Sequence, residues 1–181
     1  MDRFLEALAA PTAAPGGGSA ACYAGAVSAA LVEMCAGLAA KKEKPGAQEI
    51  LGAAQEIRGA MLRQADLDAA SFEVVMAAYR EPKDAEGRKE RIAQALKGAA
   101  LSPLATMDLV LRLAELIRKA EAMVPNSARS DWESAVVFAL AAADVAGRNV
   151  AINLDGAADA DELRASLEER RAAIRRQLPE V

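Results

Sequence analysis

The stretch PGGGSAACYAGAVSAALVEMCAGLAA, residues 15–40, decides the architecture. From Ala20 to Ala40 the only charged residue is Glu33; the rest is Ala, Gly, Val, Leu, Met and Cys, with Tyr23 and Ser28. A helix that is apolar all round is buried on all sides. At roughly 30 Å it is also long enough to span a bilayer. Its small side chains, the mid-helix Glu33 and the lack of a second stretch as apolar favour the centre of a soluble bundle instead. The run Gly16-Gly17-Gly18 predicts a loop, because glycine loses the most backbone freedom on folding. Ser19 is then placed to cap the helix. The first amides of such a helix lack internal partners and lie at the positive end of its dipole. With no side chains in the way, a carboxylate, carbonyl or phosphate fits there. The run lacks the Gly-Lys-Ser/Thr ending of a P-loop, so an ordinary flexible turn is the competing reading.

Length and composition set the frame for that helix. At 181 residues the chain is most simply one domain, 1–181. It is 53% hydrophobic but only 3% aromatic, so its core is built from small aliphatic groups. Abundant alanine favours helix, and the fold class expected is all-α, a helical bundle around a long central helix. A net charge of −4 argues against a general nucleic-acid binder. The absence of histidine removes the commonest general base and the usual zinc ligand, and no metal is expected. Cys22 and Cys35 lie roughly 20 Å apart along one helix, too far for a disulfide, and read as buried thiols. Met1–Ala10 is acidic and amphipathic, unlike a signal peptide, and a cytoplasmic protein that is not membrane-bound is expected.

Along the chain, Lys41 and Lys42 close the apolar helix, where their charge suits its negative end. They lie about 33 Å from Gly18, so one ligand reaches both only across two subunits or through a returning element. In the next helical pattern, Ala47–Tyr79, one face carries Ile50, Ala54, Ile57, Met61, Ala65, Phe72, Val75 and Tyr79. Asp68 falls on that face. A carboxylate on an apolar stripe is costly to bury unless bonded, which makes Asp68 a functional candidate; bracing another helix is the alternative. Asp84 is placed to cap a further helix, which Ser102-Pro103 kinks or restarts. Ser130 and Glu133 have capping-box spacing. Asp131 shares a face with Ala135, Phe138, Ala142, Val145, Asn149 and Ile152, and is the second candidate acid; a favourable first-turn charge is its structural alternative. Asn149 and Asn153 stand one turn apart, suited to helix ends or to a ligand amide. Arg164, Arg170, Arg171, Arg175 and Arg176 read as the solvated face of a last helix.

Pro15-Gly16-Gly17-Gly18-Ser19-Ala20-Ala21, Lys41-Lys42, Asp68-x-x-Ser71-Phe72-x-x-Val75-Met76-x-Ala78-Tyr79, Ser130-Asp131 and Asn149-Val150-Ala151-Ile152-Asn153 occur together in this order. In that combination the chain resembles the cyclodeaminase/cyclohydrolase family, the C-terminal part of formiminotransferase-cyclodeaminase and its stand-alone bacterial relatives. The likeness covers nearly the whole chain. It departs from the family pattern at Val124–Arg129, where relatives often carry Gly-Asn-x-Asn, and at Glu43, which interrupts the basic run. The resemblance implies a homodimer and a reduced folate as partner and substrate, with no further cofactor. The activity implied is ammonia release from 5-formiminotetrahydrofolate; the alternatives are hydrolysis of 5,10-methenyltetrahydrofolate or folate binding without catalysis. Asp68 and Asp131 are the expected catalytic pair. Gly16, Gly17, Gly18, Ser19, Asn126, Ser130, Asn149 and Asn153 are the expected substrate-binding positions, with Lys41 and Lys42 of a neighbouring subunit receiving a glutamate tail.

Overall fold

The computed structural model describes residues 2–181. Six α-helices follow one another: α1 (Asp2–Ala9), α2 (Gly17–Ala40), α3 (Ala47–Arg80), α4 (Arg88–Ala120), α5 (Arg129–Asn153) and α6 (Ala160–Gln177). Two short 3-10 turns, Glu121–Met123 and Asn126–Ala128, join α4 to α5, and no strand occurs among the described residues. The architecture is all-α.

The alanine-rich sequence of α2 explains its central place. Ala21, Cys22, Ala29, Val32, Cys35, Ala36 and Ala39 are all buried, and α2 packs against α3, α4 and α5. Gly25 shows how close the helices come: a Cβ there would lie 2.7 Å from the Met61 methyl group of α3. On the other side, the Ser28 hydroxyl donates to the Ala135 carbonyl of α5 at 2.6 Å, satisfying a buried polar group. Glu33 lies at the α2–α3 seam and pairs with Arg58 at 2.9 Å. Trp132, fully buried, donates its indole N–H to the Ile117 carbonyl at 3.0 Å and so fixes α5 on α4. Both thiols are free and buried, and burial pushes Cys22 and Cys35 up to about 11. The expectation that no second stretch is as apolar as α2 does not hold: Gly17–Ala40 and Asn126–Asn153 have mean hydropathies of 1.5 and 1.6, and each is long and apolar enough to cross a membrane. Within this bundle about half of each apolar window is buried, and the two helices face one another.

Several element ends differ from the sequence reading. Gly17 and Gly18 are helical, and Ser19 is not the cap of α2; Gly16 holds that position and no side chain of its own segment caps it. Ser19 is buried in the first turn and points at α3 instead. The Ser130–Glu133 capping box does not form. The turn Asn126–Ala128 runs directly into α5, so Ala128 takes the cap position. Glu133 instead pairs with Arg129, and the Ser130 carbonyl accepts from the Ser134 hydroxyl. Asp84 does not cap α4, which starts later, after Gly87. Tyr79 is 49% exposed; it lies outside the small cluster in which Val75 and Ala78 of α3 pack on Ala95, Leu96 and Ala99 of α4. Pro103 sits inside α4 without ending it. The arginines of α6 are partly paired: Arg170 with Asp108 and Arg171 with Glu168.

Candidate functional site

The N-terminus of α2 opens into a cavity of about 160 Å³ formed with α3, α4 and α5. Gly16–Gly18, Asp68, Phe72, Asn149 and Asn153 are among the residues lining it. Asp68 is the one ionisable side chain in that lining.

Asp68 explains why α2 begins as it does. Its carboxylate reaches from α3 to the first turn of α2, where the Ser19 hydroxyl donates to Oδ2 at 3.2 Å and the Ser19 main-chain amide faces it. A carboxylate at that end complements the helix dipole. The cap that Ser19 was expected to supply therefore comes from another helix. Burial raises the Asp68 carboxyl above the ordinary range, and hydrogen bonds from Ser19 and Ser102 oppose that rise. The cavity thus holds an acid whose proton is retained to a higher pH than that of a surface aspartate.

The glycines make this approach possible. A Cβ on Gly18 would overlap both Asp68 carboxylate oxygens, and one on Gly17 would lie 2.9 Å from the Asn149 Nδ2. Gly16 has open space around it.

The two asparagines are held through their amide nitrogens. Asn149 Nδ2 donates to the Val145 carbonyl at 2.8 Å. Asn153 Nδ2 donates to the Asn149 carbonyl at 2.9 Å and to the Ala99 carbonyl at 3.1 Å. The second bond has a cause in the sequence. Proline has no N–H, so Pro103 leaves the Ala99 carbonyl, four residues back in α4, without its helical donor. Asn153 supplies one. With its nitrogen engaged twice, Asn153 keeps its Oδ1 as a free acceptor. The cavity therefore combines acceptors suited to ligand N–H groups with the unpaired first amides of α2, suited to a ligand carbonyl or anion. Replacing Asn153 by alanine strands the buried Ala99 carbonyl and is expected to lower stability by about 1–3 kcal/mol. In a Pro103→Ala background, where the main-chain N–H returns, most of that loss is expected to vanish; urea unfolding of the four proteins measures both.

The remaining candidates lie elsewhere. Asp131 is half-buried near Cys35, whose thiol its charge helps to raise. That is about 25 Å along α2 from Gly18, so Asp131 does not join Asp68 within one protomer. The reason is the antiparallel pairing of α2 with α5, which brings Asn149 to Gly17 and sends Asp131 to the opposite end. Lys41 is exposed and follows the end of α2, while Lys42 and Asn126 share a second groove at that same end. Ser130 is exposed at the start of α5. Ser102 and Gln64, which do touch the Asp68 network, are not singled out by the sequence. The available signal was an in-helix Ser-Pro pair facing a glutamine beside the α3 stripe.

The profile of the formiminotransferase-cyclodeaminase family matches residues 1–172. The chain belongs to the formiminotransferase-cyclodeaminase family. It is 33% identical over 182 aligned residues to a methenyltetrahydrofolate cyclohydrolase of Methylorubrum extorquens, covering 94% of this chain and 84% of the relative. Its fold is similar to the crystal structure of a formiminotetrahydrofolate cyclodeaminase from Thermotoga maritima. That match has a TM-score of 0.88 and 30% identity, and covers 98% of this chain and 90% of the other. Both named relatives of this formiminotransferase-cyclodeaminase family member act in folate one-carbon chemistry. The chain is thus an enzyme of the folate cyclodeaminase/cyclohydrolase family.

Proposed function

We propose that the cavity at Gly17-Gly18 binds the reacting end of a reduced folate and that Asp68 is its acid/base group. The observation that carries this reading is the half-buried carboxylate held against the first turn of a glycine-opened helix. In the primary reading the substrate is 5-formiminotetrahydrofolate. Its N10 attacks the formimino carbon, a nitrogen–carbon bond forms and closes a five-membered ring, and the formimino nitrogen leaves as ammonia. The two nitrogens are held close by the substrate itself, so the attack needs little assistance. The departing amine needs a proton, and N10 must lose one. In its protonated form, which burial favours, the Asp68 carboxyl donates the first, and its carboxylate form then recovers a proton from N10. Asn149 and Asn153 present acceptors to pterin N–H groups, and the amides of Gly17 and Gly18 bind polar ligand atoms.

The second reading is hydrolysis of 5,10-methenyltetrahydrofolate, favoured by the likeness to the Methylorubrum cyclohydrolase over 94% of the chain. Here Asp68 takes a proton from the water whose oxygen bonds to the bridging carbon, and returns it to the ring nitrogen released when one carbon–nitrogen bond breaks.

A cavity of about 160 Å³ is smaller than the ~300–1,000 Å³ usual for ligand sites. It houses one end of a folate, and we assign the rest to a second copy of the chain. Tyr23, Val27, Ala30, Leu31, Met34, Leu38 and Lys41 follow one outward face of α2 and are only partly buried or exposed. A two-fold axis crossing that face sets two α2 helices antiparallel. It brings Lys41, Lys42, Asn126, Ser130 and Asp131 of one copy toward the glycine end of the other. The lysines then meet the glutamate tail, and Asp131 approaches the reacting atoms from the opposite wall. Side-by-side assays decide between the readings: ammonia release from 5-formiminotetrahydrofolate selects the first, loss of the methenyl chromophore selects the second. Tight folate binding with neither reaction overturns both.

A further inference from the structure

Asp68 is bonded by two hydroxyls that are not equivalent. Gln64 Nε2 donates to the Ser102 carbonyl at 3.0 Å and to the Ser102 Oγ at 3.1 Å. A carbonyl only accepts, so the amide is oriented with nitrogen toward Ser102. The Ser102 Oγ thereby receives a hydrogen bond, and its own hydrogen is directed to Asp68 Oδ1 at 3.4 Å. Ser19 is arranged differently. Its single hydroxyl hydrogen lies within reach of two acceptors, Asp68 Oδ2 at 3.2 Å and the Ala65 carbonyl at 3.1 Å.

We propose that Gln64 and Ser102 are positioning residues that lock Asp68 Oδ1 as an acceptor, so that Oδ2 is the oxygen that gains and loses the catalytic proton. When Oδ2 is protonated, Ser19 turns its hydrogen to the Ala65 carbonyl. When Oδ2 loses its proton to substrate, Ser19 turns back and donates to it. No hydrogen bond is lost in either state, so the proton changes place without leaving a buried group unpaired. Ser102 differs: Asp68 Oδ1 is the acceptor of its hydroxyl, while the Gln64 amide donates to the same Oγ and restricts its rotation.

The groups around Asp68 leave this arrangement undisturbed by other charges. From α2 the titratable neighbour is Cys22, whose thiol burial pushes up to about 11 and thereby keeps neutral. Within the cavity lining, α4 presents Ala99, and α5 presents Asn149 and Asn153, none of them ionisable.

The inference rests on the role given to Asp68 above, and its test separates the two. Carbon-13 spectra of the aspartate-labelled protein, subtracted from those of Asp68→Asn, report the Asp68 titration whether or not the enzyme turns over. Ser102→Ala removes a donor to the charged form, so the midpoint is expected to move to higher pH. Gln64→Met, which touches no atom of Asp68, is expected to move it in the same direction, because the Ser102 hydrogen is no longer directed. The double variant is expected to move it no further than Ser102→Ala alone. Ser102→Thr, which keeps a hydroxyl, is expected to restore the wild-type midpoint. In turnover assays the alkaline limb of kcat follows the same midpoints while KM stays within about twofold. An unmoved titration in Gln64→Met, or additive shifts in the double variant, overturns the proposal. If these shifts occur in the spectra but Asp68→Asn retains full activity, the hydrogen-bond relay stands and the catalytic role of Asp68 fails.

Discussion

Replacing Asp68 by asparagine is expected to lower the rate on the true substrate by at least about a hundredfold, the usual contribution of a positioned acid/base group. The amide keeps the size of the carboxyl, and its single oxygen can still accept from one of the two serines, which bond different oxygens of Asp68, but it has no acidic proton to give. The stability of the same variant should move the opposite way. Burial holds the Asp68 carboxyl above its ordinary value, so the native state binds that proton more tightly than the unfolded chain. The contribution of this group to stability is present below the ordinary carboxylate range. It is lost as pH rises from there through the raised value. Thermal melts should therefore show the variant gaining on the wild type as pH increases across that window. A slower but more stable protein is the signature of a group retained for chemistry rather than for the fold. A variant that unfolds more readily at neutral pH and reacts at the wild-type rate would make Asp68 a brace between α3 and α2.

Gly18→Ala is the second large expectation. Alanine favours helix over glycine by about 1 kcal/mol. Here, however, the added methyl group would occupy space already filled by both Asp68 carboxylate oxygens. Overpacking of this kind costs about 1–3 kcal/mol, so the net change in stability is a loss of up to about 2 kcal/mol. Its effect on activity is larger, because displacing a reacting group by about 1 Å is enough for a hundredfold loss. In an Asp68→Ala background the obstruction is gone, and Gly18→Ala should then be neutral or stabilising by up to about 1 kcal/mol. A double-mutant cycle on thermal or urea unfolding measures that coupling directly. Equal penalties in both backgrounds would show that the glycine is needed for its backbone alone.

The features legible in the sequence are those set by short-range interactions. The apolar run Ala20–Ala40 indicated a buried central helix because its periodicity and composition are local properties, and α2 occupies that place. The position of Asp68 on an apolar stripe was legible for the same reason. The boundaries failed where a partner distant in sequence decided them. Gly17 and Gly18 looked like loop, yet they are helical, with Asp68 some fifty residues away in contact with their turn. The Ser130–Glu133 spacing looked like a cap, but the turn Asn126–Ala128 had already started the helix. The distance between Asp131 and Asp68 within one protomer follows from helix direction, which composition does not carry: α2 and α5 run antiparallel, so residues at the start of α5 lie far from the start of α2. Asn149 and Asn153 were recognisable as neighbours on one helix. That Asn153 answers a carbonyl freed by Pro103 requires the packing of α5 on α4.

The structure of the protein with a bound reduced folate tests the central claim most directly. The N5–N10 edge of the ligand is expected within hydrogen-bonding distance of Asp68 Oδ2, between the first turn of α2 and the asparagines of α5. A folate seated wholly in the groove of Lys42 and Asn126, with Asp68 of either copy out of reach, would contradict it.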